Sequence, residues 1–202
     1  MKKNLKERLV EVSLQLFEEH GYNHVTVNDI VQAAGSSKGG FYHYFTSKDQ
    51  LLYEIHDVFI TYVIRDSERI CEEYETPVAR LVQMLVSFTK VFDMYQPHIR
   101  VFYQESQSLP ERYHPEMKAK RRRYREILEE VIREGQETGD FRKELPVTIV
   151  ALSITGMVNW THKWFDKKGK LAMEDITSIF VDMILRSIVT EKGKVEATPY
   201  YL

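Results

Sequence analysis

The sequence predicts an all-α protein, with three short helices at the N-terminus followed by a larger helical bundle, about nine helices in all. Three observations predict it. Apolar residues recur at intervals of three and four along almost the whole chain, the period of a helix that buries one face. No stretch alternates apolar and polar residues over a useful strand length, and there is no internal repeat or low-complexity segment. Glycine, proline and capping residues fall mostly between the periodic segments, where helix starts and stops need them.

Leu5, Leu9, Val12 and Leu16 share one helical face, and Gly21 stops that first helix. Thr26 opens a second, with Asp29 three residues on as its capping-box partner. The second helix is short, because Ala33-Ala34-Gly35-Ser36-Ser37 breaks it. Ser37 caps a third short helix through about Phe45. Thr46-Ser47-Lys48-Asp49-Gln50 is a further capping signal and begins a long fourth helix reaching to about Tyr74. Val78, Leu81, Val82, Leu85, Phe88, Phe92 and Tyr95 then form a stripe between Pro77 and Pro97. A shorter helix spans 97–108, residues 110–115 read as a loop, and a charged helix over about 116–133 is closed by Gly135 and Gly139. Pro146 suits a first helical turn and opens an apolar segment to residue 165. After Lys167-Lys168-Gly169-Lys170, the last helix covers 173–190. The tail from Gly193 is expected to be unordered.

Composition narrows the function. Hydrophobic residues at 43% and charged residues at 29% match an ordinary globular chain and exclude general disorder. The longest wholly apolar run is four residues, 149–152, whereas a membrane-spanning helix needs roughly 20. The opening Met-Lys-Lys-Asn-Leu-Lys-Glu-Arg has no apolar stretch behind its charges and so is not a secretory signal. Cys71, the single cysteine, can make neither an intramolecular disulfide nor a cysteine-based zinc site. A cytoplasmic protein that leaves the membrane alone is the expectation. The net charge of −2 does not advertise a nucleic-acid binder. Its distribution is mildly uneven: six Lys/Arg against five Asp/Glu in the first 48 residues, and 22 against 25 in the rest.

One motif is specific. A helix, a short glycine-containing turn and a second short helix form the outline of a helix-turn-helix reader. The second helix must enter a major groove roughly 12 Å wide, and its residues suit that task. Lys38 can neutralise a phosphate or reach a guanine edge, Gly39 and Gly40 leave room for close approach to DNA, and Tyr42 and His43 extend polar tips. Lys48, at the positive end of the next helix, can meet a phosphate.

With Leu16-Phe17, Gly21-Tyr22, Thr26-Val27, Ile30, Ala33-Ala34-Gly35-Ser36-Ser37-Lys38-Gly39, Tyr42-His43-Tyr44-Phe45 and Ser47-Lys48-Asp49-Gln50-Leu51, the sequence resembles the tetracycline-repressor (TetR) family of bacterial transcriptional regulators. The resemblance is dense over about the first 50 residues, and the chain length and helical remainder fit it. It implies a DNA-binding domain at 1–47 and a ligand-binding and dimerisation domain at 48–202. It implies that Thr26 caps the first reader helix against a phosphate and that Ser36, Ser37, Lys38 and Gly39 face the groove. Tyr42, His43 and Lys48 would contact backbone or bases, while Tyr44 and Phe45 pack the small domain. Ser36 replaces the more usual small apolar residue of the turn. Gly40 adds a second glycine to the reading helix at a cost of about 1 kcal/mol relative to alanine, so that helix is expected to be mobile without DNA.

Other chemistries are weaker. Gly35 and Gly40 have phosphate-loop spacing, but Phe41-Tyr42 stand where Lys then Ser/Thr are required. His20 and His24 are interrupted by Gly21 and read as surface histidines. His162 and Asp166 share a face but lack a third ligand. No nucleophile elbow or dinucleotide fingerprint appears. The expectation is no enzyme, no metal and no cofactor.

The densest charge cluster is Lys118, Lys120, Arg121, Arg122, Arg123 and Arg125. Met117, Tyr124, Ile127, Leu128 and Val131 form an apolar stripe from which Lys118, Arg122 and Arg125 point away, as a solvated face with i, i+4 pairs would. Lys120 falls within the stripe and Arg121 on its border, so each either snorkels outward or meets an anionic ligand. Tyr62, Tyr95 and Trp164 are among the aromatics that helical spacing usually makes core. By resemblance the bundle encloses an effector pocket, and the candidates for it are Phe88, Phe92, Phe102, Tyr103, Lys120, Arg121, Tyr124, Asn159 and Trp160. Asn159-Trp160 and Trp164, followed by a Lys/Gly break and Leu171, resemble a subgroup responsive to acyl-coenzyme A thioesters; hydrophobic drugs and fatty acids fit nearly as well. Ser153, Gly156 and Asn159 permit close helix approach, and the last two helices would by resemblance form a homodimer interface.

The resulting expectation is a homodimeric, ligand-responsive regulator, most simply a repressor, that reads a near-palindromic double-stranded operator with residues 37–44. The competing readings are an activator with the same motif, and a helical ligand-binding protein or enzyme that has lost DNA binding.

Overall fold

The computed structural model describes residues 4–105 and 107–202, and ten α-helices form among them. Lys2 and Lys3, part of the basic count, lie outside the described residues, as does Ser106 in the segment expected to end the sixth helix. The helices are α1 (Leu5–His20), α2 (Val27–Ala33), α3 (Lys38–Tyr44), α4 (Lys48–Glu73), α5 (Pro77–Met94), α6 (Gln96–Gln104), α7 (His114–Thr138), α8 (Val147–Trp164), α9 (Met173–Ile188) and α10 (Lys194–Ala197). No strand forms among the described residues; Phe141 and Val189 make an isolated antiparallel bridge. No helix among the described residues is long and apolar enough to cross a membrane.

The chain divides into two compact units. The first comprises the residues up to Phe59 together with Tyr95–Lys118. It therefore takes in the opening of α4 and all of α6, beyond the reader segment itself. Its core is Leu9, Phe17, Ile30, Phe41, Phe45, Leu51, Leu52 and Ile55, none more than 1% exposed. Each such side chain contributes roughly 1.5–3 kcal/mol on burial. In α1 the deeply buried residues are Leu9, Ser13, Leu14 and Phe17, while Leu5, Val12 and Leu16 are half-buried. The expected stripe is therefore rotated, because α1 packs on α6 as well as on α2 and α3.

The second unit comprises Ile60–Met94 and Ala119–Leu202. Helix α5 is its centre, buried on nearly all sides by Leu81, Val82, Met84, Leu85, Phe88, Val91 and Phe92, the signature of a helix surrounded by others. It packs on α8 and α9. Thr89 and Thr177 join α5 to α9 through their buried hydroxyls at 2.7 Å, and Arg80 pairs with Glu134 of α7.

Four boundaries differ from expectation. Helix α6 ends at Gln104, and the Glu105 N–H closes its last turn onto the Val101 carbonyl at 2.8 Å. The expected loop at 110–115 contains a 3-10 turn, Glu111–Tyr113, and α7 starts at His114. Helix α7 continues through Gly135 to Thr138. Gly135 is there for space: a Cβ would collide with the Phe141 ring, which folds back over that turn. Gly139, at φ 84°, makes the actual stop. The tail is ordered. The Thr190 N–H and hydroxyl bond Asp140 and Gly139 carbonyls at 2.9 and 2.7 Å, α10 buries Ala197, and the Leu202 N–H donates to Asp182 at 3.1 Å.

Candidate nucleic-acid interface

The reader is built by three local devices. Thr26 caps α2: its hydroxyl accepts the Asp29 N–H at 3.2 Å, and its own N–H donates to the Asp29 carboxylate at 2.8 Å. Helix α2 ends in a left-handed cap on Gly35, φ 59°, with the Ser36 N–H on the Val31 carbonyl at 2.8 Å and the Gly35 N–H on Gln32 at 3.1 Å. Ser37 then caps α3 by accepting the Gly40 N–H at 3.2 Å. Within α3, Phe41 turns inward and is fully buried, with its ring 5.5 Å from Phe45. At about 100° per residue, Tyr42, Gly39 and His43 then lie roughly 100–160° round the helix from Phe41, and Lys38 flanks it in the first turn.

All four are exposed, Tyr42 by 53%. Tyr42 is steadied by an edge-on contact with Phe41 at 5.4 Å, and His43 by one with Tyr44 at 4.7 Å. Ser37 is exposed beside them, and its hydroxyl proton remains available to donate. The face has a cation, two polar ring tips, a hydroxyl and open backbone at Gly39, where an added Cβ would meet only Ser37, at 3.7 Å.

Four of the residues expected at the interface also have local structural tasks. The Thr26 hydroxyl donates its proton to Asp29 at 2.6 Å, and these bonds hold the Asp29 carboxyl below its ordinary pKa. Ser36 is half-buried over Gly40. Gly40 serves packing instead of DNA approach, since a Cβ there would sit 2.6 Å from the Ser36 hydroxyl and 3.1 Å from Leu5. Lys48 turns inward: its ammonium donates to the Tyr22 and Val25 carbonyls at 2.8 and 2.7 Å and lies 4.0 Å over the Tyr22 ring. Desolvation lowers its pKa, as expected of an ammonium taken partly out of water.

The expected effector residues are divided between the two units. In the second unit Phe88 lies 5.0 Å from Tyr124 and 6.1 Å from Phe92, all three buried. Burial pushes the Tyr124 phenol up. Lys120, one turn before Tyr124, is half-buried with its ammonium 3.3 Å from the Thr61 hydroxyl. Arg121 is exposed and Asn159 half-buried. Phe102 and Tyr103 belong to the first unit, where Phe102 contacts His56 at 4.9 Å and Phe59 at 5.0 Å. Trp160 is 62% exposed and lines no interior site. It belongs instead to an outward face of α8 with Ile149, Leu152 and Trp164; Ile179 and Met183 of α9 are likewise exposed.

Sequence reasoning missed a second polar group in the first unit, assembled from Tyr22, Asp49, Glu105 and Arg112. The Tyr22 N–H donates to Glu105 across a separation of 83 residues, and no periodicity or spacing signals such a pairing.

Residues 9–55 match the family model described as bacterial regulatory proteins, tetR family, and residues 74–188 match the tetracyclin repressor-like C-terminal domain. The HTH-type transcriptional repressor KstR2 of Mycolicibacterium smegmatis is 21% identical over 93% of this chain and 92% of its own length. The TetR-family regulator PfmR from Thermus thermophilus superposes with a TM-score of 0.81 at 30% identity, over 89% of this chain and 97% of its own. AibR, solved with isovaleryl coenzyme A and operator DNA, shares the fold with a TM-score of 0.75 at 24% identity, over 89% of this chain and 97% of that one.

Proposed function

Because this chain belongs to the TetR family of bacterial regulatory proteins, we propose that its ligand-responsive, DNA-binding regulation takes the form of repression by a homodimer at a near-palindromic operator. The observation that carries the reading is the outward arc of α3, where Ser37, Lys38, Gly39, Tyr42 and His43 are exposed together on a helix capped at its start and anchored by Phe41. Lys38 supplies phosphate or guanine contact, Ser37 and the ring tips supply hydrogen bonds, and Gly39 admits the backbone. Lys48 holds the reader's shape from inside it, and exposed Thr26 caps α2.

Dimerisation through α8 and α9 is supported by their exposed face. Ile149, Leu152, Trp160 and Trp164 recur at helical spacing on α8, with Ser153 and Gly156 exposed between them, and Ile179 and Met183 are exposed apolar residues of α9. A contiguous apolar stripe of this kind marks an interaction surface. A two-fold pair of readers then meets half-sites spaced by whole turns of DNA.

The effector is a lipophilic small molecule or acyl-coenzyme A thioester held by the second unit near Phe88, Phe92, Tyr124 and half-buried Lys120. The fold of AibR holds such a thioester together with operator DNA. Effector binding lowers operator affinity by favouring one of two reader spacings, and the operator disfavours the effector to the same extent.

The experiment incubates the purified protein with fragments of its source genome at moderate salt and sequences what is retained. A recovered short palindrome supports the reading, and removal of the gene then raises expression beside it. If nothing specific is retained, even after unfolding, removal of any co-purified ligand and refolding, the reading fails. Loss of expression on deletion makes the protein an activator.

A further inference from the structure

Glu105 is a charged residue buried in the first unit. One of its carboxylate oxygens accepts the Tyr22 N–H at 3.0 Å and the other accepts the Ser108 hydroxyl at 2.8 Å. The Lys48 ammonium, bound to the Tyr22 and Val25 carbonyls, has Glu105 and Asp49 as its attractive neighbours. Asp49 accepts the Tyr22 hydroxyl with one oxygen and Arg112, at 2.6 Å, with the other. Arg112 lies 4.9 Å over the Tyr113 ring, which stacks on Tyr53 of α4 at 4.6 Å. Four charges of alternating sign, Glu105, Lys48, Asp49 and Arg112, thus surround Tyr22, whose N–H, carbonyl and hydroxyl are all engaged.

Tyr22 opens the short turn that leads into α2, and Asp49 stands in the first turn of α4. These two segments mount the reader, one before it and one after. Both are gripped by Glu105 and Arg112, which have no place on the reading face, and Arg112 stands in the turn just before α7. Drawing Glu105 away from the Tyr22 N–H strands a buried carboxylate, which is costly. Such a network exists formed or broken, with little stable between.

We propose that Glu105 and Arg112 are positioning residues for operator binding, holding the turn before α2 and the start of α4 in the one arrangement that sets the reading helix. Breaking the Glu105 and Arg112 contacts releases the reader. The inference rests on the operator-binding reading above.

The test uses the full chain with Glu105→Gln, Arg112→Gln and the charge-preserving Arg112→Lys. Affinity is measured on the palindrome selected by the parent protein and on versions with one base pair added or removed between the half-sites; hydrogen exchange is followed at the Tyr22 amide. Both Gln variants should melt near the parent and exchange Tyr22 faster. They should lose roughly tenfold in affinity at the selected spacing, within the usual range for coupled sites, and lose less at one altered spacing. Arg112→Lys should recover most of that affinity. Unchanged affinity overturns the proposal. So does an equal loss at every spacing, which leaves Glu105 and Arg112 as plain supports. A parent protein that selects no palindrome brings down the operator-binding reading and this inference with it, whereas normal selection by the parent and identical behaviour of the variants sinks this inference alone.

Discussion

Phe41 and Tyr42 are adjacent in the chain and have opposite surroundings: Phe41 is fully buried, whereas Tyr42 is 53% exposed. The 100° step of a helix separates core from surface in one residue. Tyr42→Ala should therefore weaken operator binding by about 1–3 kcal/mol while shifting stability by no more than roughly 0.5 kcal/mol. Fluorescence titration against the operator and thermal melting check both; a variant that fails to fold would make Tyr42 a core residue. His98 carries a different expectation. Burial pushes its pKa from 6.5 down to about 4. Between those values the unfolded chain binds a proton that the folded chain refuses, so stability present in full above pH 6.5 falls as the pH drops toward 4. His98→Gln should flatten the melting temperature across that window. Equal slopes for parent and variant would assign the acid sensitivity to other groups.

Helix α7 shows how an element's end is decided by a distant side chain. A glycine in a helix interior normally costs about 1 kcal/mol relative to alanine, and on propensity alone Gly135→Ala would stabilise. The Phe141 ring occupies the space of that Cβ, and overpacking costs typically 1–3 kcal/mol. The steric term is the larger, so Gly135→Ala should lower the denaturant midpoint. A rise would mean that Phe141 yields without loss. Glycine read as punctuation placed the end of α7 too early because its reason for being glycine lies six residues onward, in the returning chain. The caps on α2 and α3 were legible, since Thr26, Asp29 and Ser37 act on amides within three residues.

At the scale of the molecule, the proposed function pairs two readers on two half-sites. Met183→Glu and Trp160→Asp each place a charge on the exposed apolar face of α8 and α9. Each should leave the subunit folded, shift sedimentation to the monomer and abolish tight operator binding. Dimers that persist at micromolar concentration would move the interface elsewhere. Lys120→Ala should weaken an anionic effector and spare DNA binding. Unchanged effector affinity, measured by calorimetry with an acyl-coenzyme A probe, would leave that lysine a structural role, its bond to Thr61 included.

The sequence by itself determined the helical class, the caps, the reader and the exposure of Lys38, Gly39, Tyr42 and His43, because all of these follow from periodicity and from bonds spanning a few residues. Tertiary structure alone decided that Lys48 turns inward, that Gly40 makes room for Ser36 and Leu5, that Trp160 faces outward, and that Glu105 meets Tyr22. Each of these depends on a partner brought close by packing. A side chain's type fixes the bonds it can form, and only the fold fixes which partner is within reach.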